Sequence, residues 1–241
     1  MSINYLTGKT IEGGIGQGLR KLASIGFGME LIYSFVIIVC SLMIYFSTKE
    51  MYELSSHKGI KYFRMAFLFF AVAFFFRFSI RFLLMFFNIP RTFEFSHRFI
   101  GTSTLFLFLY ASSMAIFYLL YSLIWKKWKF KKIGIYAFHF LALIISIISI
   151  STQNIGILLS LQFILFLFVT LLSYLSHKVS KKKKNPQLHL IYLLLFGFWI
   201  FNILDVLIPN FFALSQIFIY LFSLGIFLFI TYKVLRTIGS G

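Results

Sequence analysis

The chain has 241 residues, of which 60% are hydrophobic and only 12% charged, about half the charged fraction of a soluble domain. That composition excludes a water-soluble globular protein. Lys and Arg number 23 against 6 Asp and Glu, a formal charge of +17, so where the excess lies decides between a nucleic-acid binder and a membrane protein with a preferred orientation.

In chain order, residues 1–24 form a glycine-rich segment with Gly13, Gly14, Gly16 and Gly18. It matches no dinucleotide-binding fingerprint and follows no strand. Ile11, Ile15, Leu19 and Leu22 recur at helical spacing beside Arg20 and Lys21, which predicts an interfacial segment on the outer leaflet, although four glycines weaken a helix there. Apolar blocks then follow at about 27–46, 62–87, 99–125, 133–150, 155–175, 188–208 and 211–235, each close to the roughly 20 residues that cross a hydrocarbon layer about 30 Å thick. The expected fold is an all-α integral membrane protein, a bundle of seven transmembrane helices over residues 25–236 in the cell membrane. The first block lacks a small-residue cleavage site after a short apolar region and is expected to be retained. Gly239, Ser240 and Gly241 read as an appended tail. All three prolines, Pro90, Pro186 and Pro209, fall between the blocks, which predicts unbroken helices.

Orientation follows from the basic residues. The connectors after spans 1, 3 and 5, with the C-terminal end, hold 16 Lys and Arg; the opposite side holds 5; Arg77 and Arg81 lie within span 2. This alternation predicts an outside N-terminus and a cytoplasmic C-terminus, and it accounts for the basic excess without nucleic acid. The lysine-rich connectors carry Lys126, Lys127, Lys129, Lys131 and Lys132, interleaved with Trp128 and Phe130, and then Lys181, Lys182, Lys183 and Lys184. Such runs suit contact with anionic lipid headgroups at up to about 1 kcal/mol per basic residue, or docking of a separate cytoplasmic or membrane protein. The longest connector is expected over Ser47 to Lys61, and no segment is long enough to act as a soluble effector.

Charges within the spans are the candidate site. An ionised side chain at a helix centre costs at least about 2.5–3.5 kcal/mol, so each needs a partner or a use. Arg77 and Arg81 share one face of span 2 at i, i+4. At 1.5 Å per residue Arg77 falls about 3 Å, and Arg81 about 9 Å, to the outer side of the span midpoint. Asp205 on span 6, Glu30 on span 1 and Gln216 on span 7 come out roughly 10 Å outward, with Asn202 one turn deeper than Asp205. These six residues are expected to converge on one polar layer, Arg81 pairing with Asp205 by matched depth. Two cations and two carboxylates make that layer neutral, as a structural network requires; alternatively Arg77, the deeper and less compensated cation, opens on a pocket and takes a carboxylate or phosphate. Phe74, Phe75, Phe76 and Phe78 add ring faces beside the arginines.

No cofactor is expected. The single cysteine, Cys40, allows neither an intramolecular disulfide nor a cysteine zinc site. His57, His97, His177 and His189 fall in connectors or at span ends. His139 alone sits well inside a span, without a second ligand one turn away, and is expected to hydrogen-bond between helices rather than hold zinc or haem. Thr102, Ser103, Thr104, Ser112 and Ser113 on span 3 read as small residues for close helix packing or, with Gln162, as the lining of a solute path. Seven spans with an outside N-terminus resemble the topology of G-protein-coupled receptors and retinal proteins, and the likeness stops there. Span 7 lacks a mid-helix lysine for a Schiff base and an Asn-Pro-x-x-Tyr, and span 3 is not followed by Asp-Arg-Tyr.

The function expected is a receptor-like or sensory membrane module with an outward-facing polar layer and basic cytoplasmic loops. A small channel or transporter for an anionic or polar solute, and a scaffold or assembly protein without a small ligand, are the alternatives. An enzyme is not expected, because the six carboxylates include no pair at helical spacing offering acid and base roles.

Overall fold

The computed structural model describes residues 4–86, 94–125, 131–152, 155–179, 186–207 and 213–239; side chains are described from Gly28 onward except at positions mostly near helix ends, Arg81 among them. Seven helices account for nearly all of this chain: α1 (Asn4–Ser55), α2 (Lys58–Phe86), α3 (Glu94–Ile124), α4 (Lys131–Thr152), α5 (Ile155–Val179), α6 (Pro186–Leu207) and α7 (Ala213–Gly239). Five contain long apolar segments able to cross a membrane: Gly28–Ser55, Lys58–Ile80, Gly101–Ile124, Gly134–Thr152 and Ser215–Arg236. Leu159–Leu175 and Leu190–Asp205 are shorter apolar helices. The chain is a multi-pass membrane protein. Pro186 stands at the first position of α6, where its fixed φ suits a helix start and its missing N–H breaks no bond.

Two differences from the sequence reading stand out. The glycine-rich segment is not a separate element, since α1 runs without interruption from Asn4. The connector expected over Ser47 to Lys61 shrinks to Ser56 and His57. Its residues continue the helix because Thr48 and Ser55 bond back to the carbonyls of Ile44 and Met51, at 2.6 Å each, and Lys49 pairs with Glu53 one turn on. Ser56 then takes the left-handed conformation, φ 49°, that ends many helices, and the Ile60 N–H bonds the His57 carbonyl to start α2. Gly59 leaves room at this corner: a Cβ there would stand 2.8 Å from Trp125 Nε1 and 2.9 Å from the His57 ring, so a side chain would have to shift to admit it. Arg64 of α2 closes the joint by donating to the Tyr45 carbonyl and lying over the Tyr45 ring.

The helices pack in chain order, each against the next, and α7 returns to α1; α3 is drawn inward and meets α5 as well as α4. Every residue of α3 from Ala111 to Tyr121 is buried, with Ala111, Ser112, Ser113 and Ala115 allowing close approach of its neighbours. Aromatic rings fill the interior. Phe74 meets Phe198 of α6, which meets Phe227 of α7, which in turn meets Phe67 of α2. Outward faces are apolar too: on α1, Ile32, Phe35, Val39, Met43 and Phe46 are exposed at helical spacing, as a lipid-facing stripe must be.

Candidate functional site

Arg77 is the centre of the polar layer. Its Nη1 donates to Asn202 Oδ1 at 2.9 Å, its Nη2 donates to and pairs with Asp205 Oδ2, and its Nε stands 3.5 Å from Glu30 Oε1. The Tyr33 hydroxyl donates to the same Asn202 oxygen at 3.1 Å, and the Asn202 amide donates to the Phe198 carbonyl at 2.9 Å. The guanidinium carbon also lies 5.9 Å from the Tyr33 ring centroid and 5.7 Å from that of Phe74. Tyr220 of α7 stacks on Tyr33, 5.0 Å between centroids, and interacts electrostatically with Asp205 and Glu30. One arginine therefore ties α1, α2 and α6 together and brings α7 alongside.

Four of the six expected layer residues, Glu30, Arg77, Asn202 and Asp205, meet here. Gln216 is half-buried on α7, one turn before Tyr220. The Arg81 side chain, expected to pair with Asp205, lies outside the described residues; the described partner of Asp205 is Arg77. Among the described residues two carboxylates face one guanidinium, so these groups carry no surplus positive charge with which to hold an anion. The backbones of α2 and α6 nowhere bring Cα atoms within 8 Å among the described residues, and the long arginine bridges that gap.

The gap is a cavity. It has a volume of about 180 Å³ and opens between α2, α3, α5 and α6, with Arg77, Asn202, Ser112, Gln162 and Trp199 among its lining. Apolar side chains such as Phe70, Phe74, Leu105, Leu159 and Ile203 make most of the wall. Gln162, buried at 2% exposure, donates through Nε2 to Ser112 Oγ at 2.7 Å, and Ser112 passes its own proton to the Leu109 carbonyl at 3.0 Å. Trp199 stacks on Phe166, 5.7 Å between centroids and 17° from parallel. Its Nε1 is buried without a hydrogen-bond partner, a state that costs about 1–3 kcal/mol. Of the span 3 hydroxyls, Ser112 lines this cavity with Gln162 and Arg77, whereas Ser113 is buried and Thr102 is exposed.

Away from this site, His139 of α4 bridges to α3, as its isolation within span 4 implied. The Tyr110 and Tyr118 hydroxyls meet its Nδ1 and Nε2 at 2.5 and 3.3 Å. No group of three or more His, Cys, Asp or Glu that could hold a metal occurs among the described residues. Lys126, Lys127, Lys129 and Lys181 to Lys184, expected to contact lipid headgroups or a partner, lie outside the described residues; Lys131 and Lys132 begin α4, their side chains likewise outside.

Sequence reasoning missed Tyr33, Trp199 and Tyr220. A signal existed in spacing: Tyr33 follows Glu30 by three residues, and Trp199 precedes Asn202 by three, which puts each on the face of a polar residue already singled out.

An uncharacterized protein of Archaeoglobus fulgidus is 34% identical over 217 residues, 86% of this chain and 91% of that protein. No protein-family model matches the sequence, and no solved structure matches it.

Proposed function

The chain belongs to the family of that Archaeoglobus fulgidus protein, and we propose that it is a receptor-like membrane module with seven crossings, an outside N-terminus, a cytoplasmic C-terminus and basic cytoplasmic faces that dock lipid or a separate protein. One observation carries the reading: the cavity is walled on one side by the Arg77–Asn202 pair, which joins α2 to α6 and, through Tyr33 and Glu30, to α1. An occupant that presses on this wall shifts the helices against one another, which is what a receptor needs and a scaffold does not.

Occupancy can be imposed without knowing the occupant. Ala73 lines the cavity and is buried, so Ala73→Leu partly fills it. In vesicles, the variant is expected to change several-fold the labelling rate of a single cysteine placed near Lys182, with no solute flux in either protein. Unchanged labelling removes the receptor reading. Flux of a small polar solute that depends on Gln162 transfers the function to transport, the alternative favoured by Ser112, Gln162 and Arg77 sharing one cavity.

A further inference from the structure

Building on the cavity reading above, we propose the class of molecule the cavity takes: a compact, uncharged, apolar body carrying one head group that both donates and accepts a hydrogen bond, an alcohol or phenol. Size comes first. A cavity of about 150 Å³ admits benzene, so 180 Å³ holds about seven to nine heavy atoms. The mostly apolar wall sets the character of the body.

The head group follows from which polar atoms are already used. Asn202 gives its oxygen to Arg77 and Tyr33 and one amide proton to Phe198. Arg77 directs three of its five N–H at Asn202 and two carboxylates, which balance its charge. Ser112 gives its only proton to Leu109, so its oxygen can receive only a donor, and this fixes which end of the Gln162 amide faces it. The Gln162 Oε1 is left as an acceptor with no hydrogen bond among the described residues, on a side chain 2% exposed. Trp199 Nε1 is left as a donor, also without a partner among the described residues, on a side chain 6% exposed. Phe166, on which Trp199 stacks, lies one turn beyond Gln162 on α5, so the two unpaired groups belong to one α5–α6 wall. A hydroxyl that reaches both serves both: its oxygen accepts from Trp199 and its proton goes to Gln162. A carboxylate has no proton for Gln162 and meets, among the described residues, only a cation already balanced by two carboxylates. A hydrocarbon leaves both groups unpaired.

Trp199 also reports on the site, being one of three tryptophans. The full chain in lipid nanodiscs is titrated with 4-bromobenzyl alcohol, 4-bromotoluene and 4-bromobenzoate, heavy-atom quenchers of shared body and different head. Quenching by each is compared with that of Trp199→Phe to subtract simple partitioning onto the other tryptophans. The alcohol is expected to quench Trp199 saturably, with half-saturation about tenfold below that of bromotoluene, the worth of about one net hydrogen bond, and the benzoate not saturably. Gln162→Met keeps the side-chain length and is expected to erase the alcohol's advantage. Ala73→Leu, which touches neither polar group, is expected to abolish saturable quenching. Equal saturable quenching by alcohol and bromotoluene, or a preference for benzoate, overturns the proposed class while leaving the cavity reading intact. Linear, non-saturable quenching by all three overturns both.

Discussion

Replacing Arg77 by leucine should be the most damaging single change in the membrane-embedded layer. Arg77 compensates both Glu30 and Asp205, each buried in the bundle, with exposures of 6% and 7%, and breaking a buried ion pair by removing one partner costs about 3–5 kcal/mol. Either carboxyl removed alone is a different matter. Asp205→Asn leaves Arg77 paired with Glu30, and Glu30→Gln leaves it on Asp205, so each is expected to cost less than about 2 kcal/mol. The order matters more than the sizes: Arg77→Leu well above Asp205→Asn and Glu30→Gln. Adding both neutral substitutions to Arg77→Leu should recover much of the loss, the non-additivity of groups in contact. Thermal unfolding of purified protein in one fixed detergent is the measurement, and 3–5 kcal/mol corresponds to a fall of roughly 6–20 °C for a chain of this length. A fall of under about 2 °C in Arg77→Leu, or a carboxyl substitution as costly as the arginine, would refute the assignment of Arg77 as the shared cation.

Three further outcomes are expected. With Cys40 replaced, single cysteines near Lys129 and Lys182 should resist membrane-impermeant reagents in intact cells while one near Gln153 reacts; the reverse pattern inverts the orientation. His139→Phe removes the acceptor and donor that meet Tyr110 and Tyr118 and should cost about 1–3 kcal/mol, with His139→Gln recovering part of it in thermal unfolding. Gly59→Ala forces a methyl against Trp125 and His57 and should destabilise by about 1–3 kcal/mol, a loss that Trp125→Leu relieves if the clash is its cause.

The helices were legible because lipid permits few alternatives: backbone polar groups without water must bond within the segment, so long apolar runs free of proline can only be helices. The end of α1 was not, because Lys49, Glu50 and Glu53 are polar as connector residues are, yet also good helix formers; hydropathy sees where the apolar layer ends and not where the helix does. Depth counting brought Glu30, Arg77, Asn202 and Asp205 to one layer and paired Asp205 with Arg81, whereas its described partner is Arg77. One turn is about 5.4 Å, a rise that a guanidinium on three methylenes can cover, so Cα depth cannot separate Arg77 from Arg81. Trp199 and Tyr33 were hidden by abundance. Among 35 Phe and 13 Tyr an aromatic residue carries little information until its neighbours are known.

The two-residue joint between α1 and α2 restricts how these helices can move. The three Cα–Cα steps from Ser55 to Lys58 extend to at most about 11 Å, so the two helix ends stay close and the joint acts as a pivot. Glu30 lies on the far arm, about 37 Å along α1 from Ser55 at 1.5 Å per residue. A tilt of about 3° at the pivot sweeps Glu30 through about 2 Å, enough to carry its carboxylate from 3.5 Å to beyond ion-pair distance from Arg77, while the joint itself barely moves. A tilt of α1 about this joint would therefore act most on the Glu30–Arg77 contact and least on the joint.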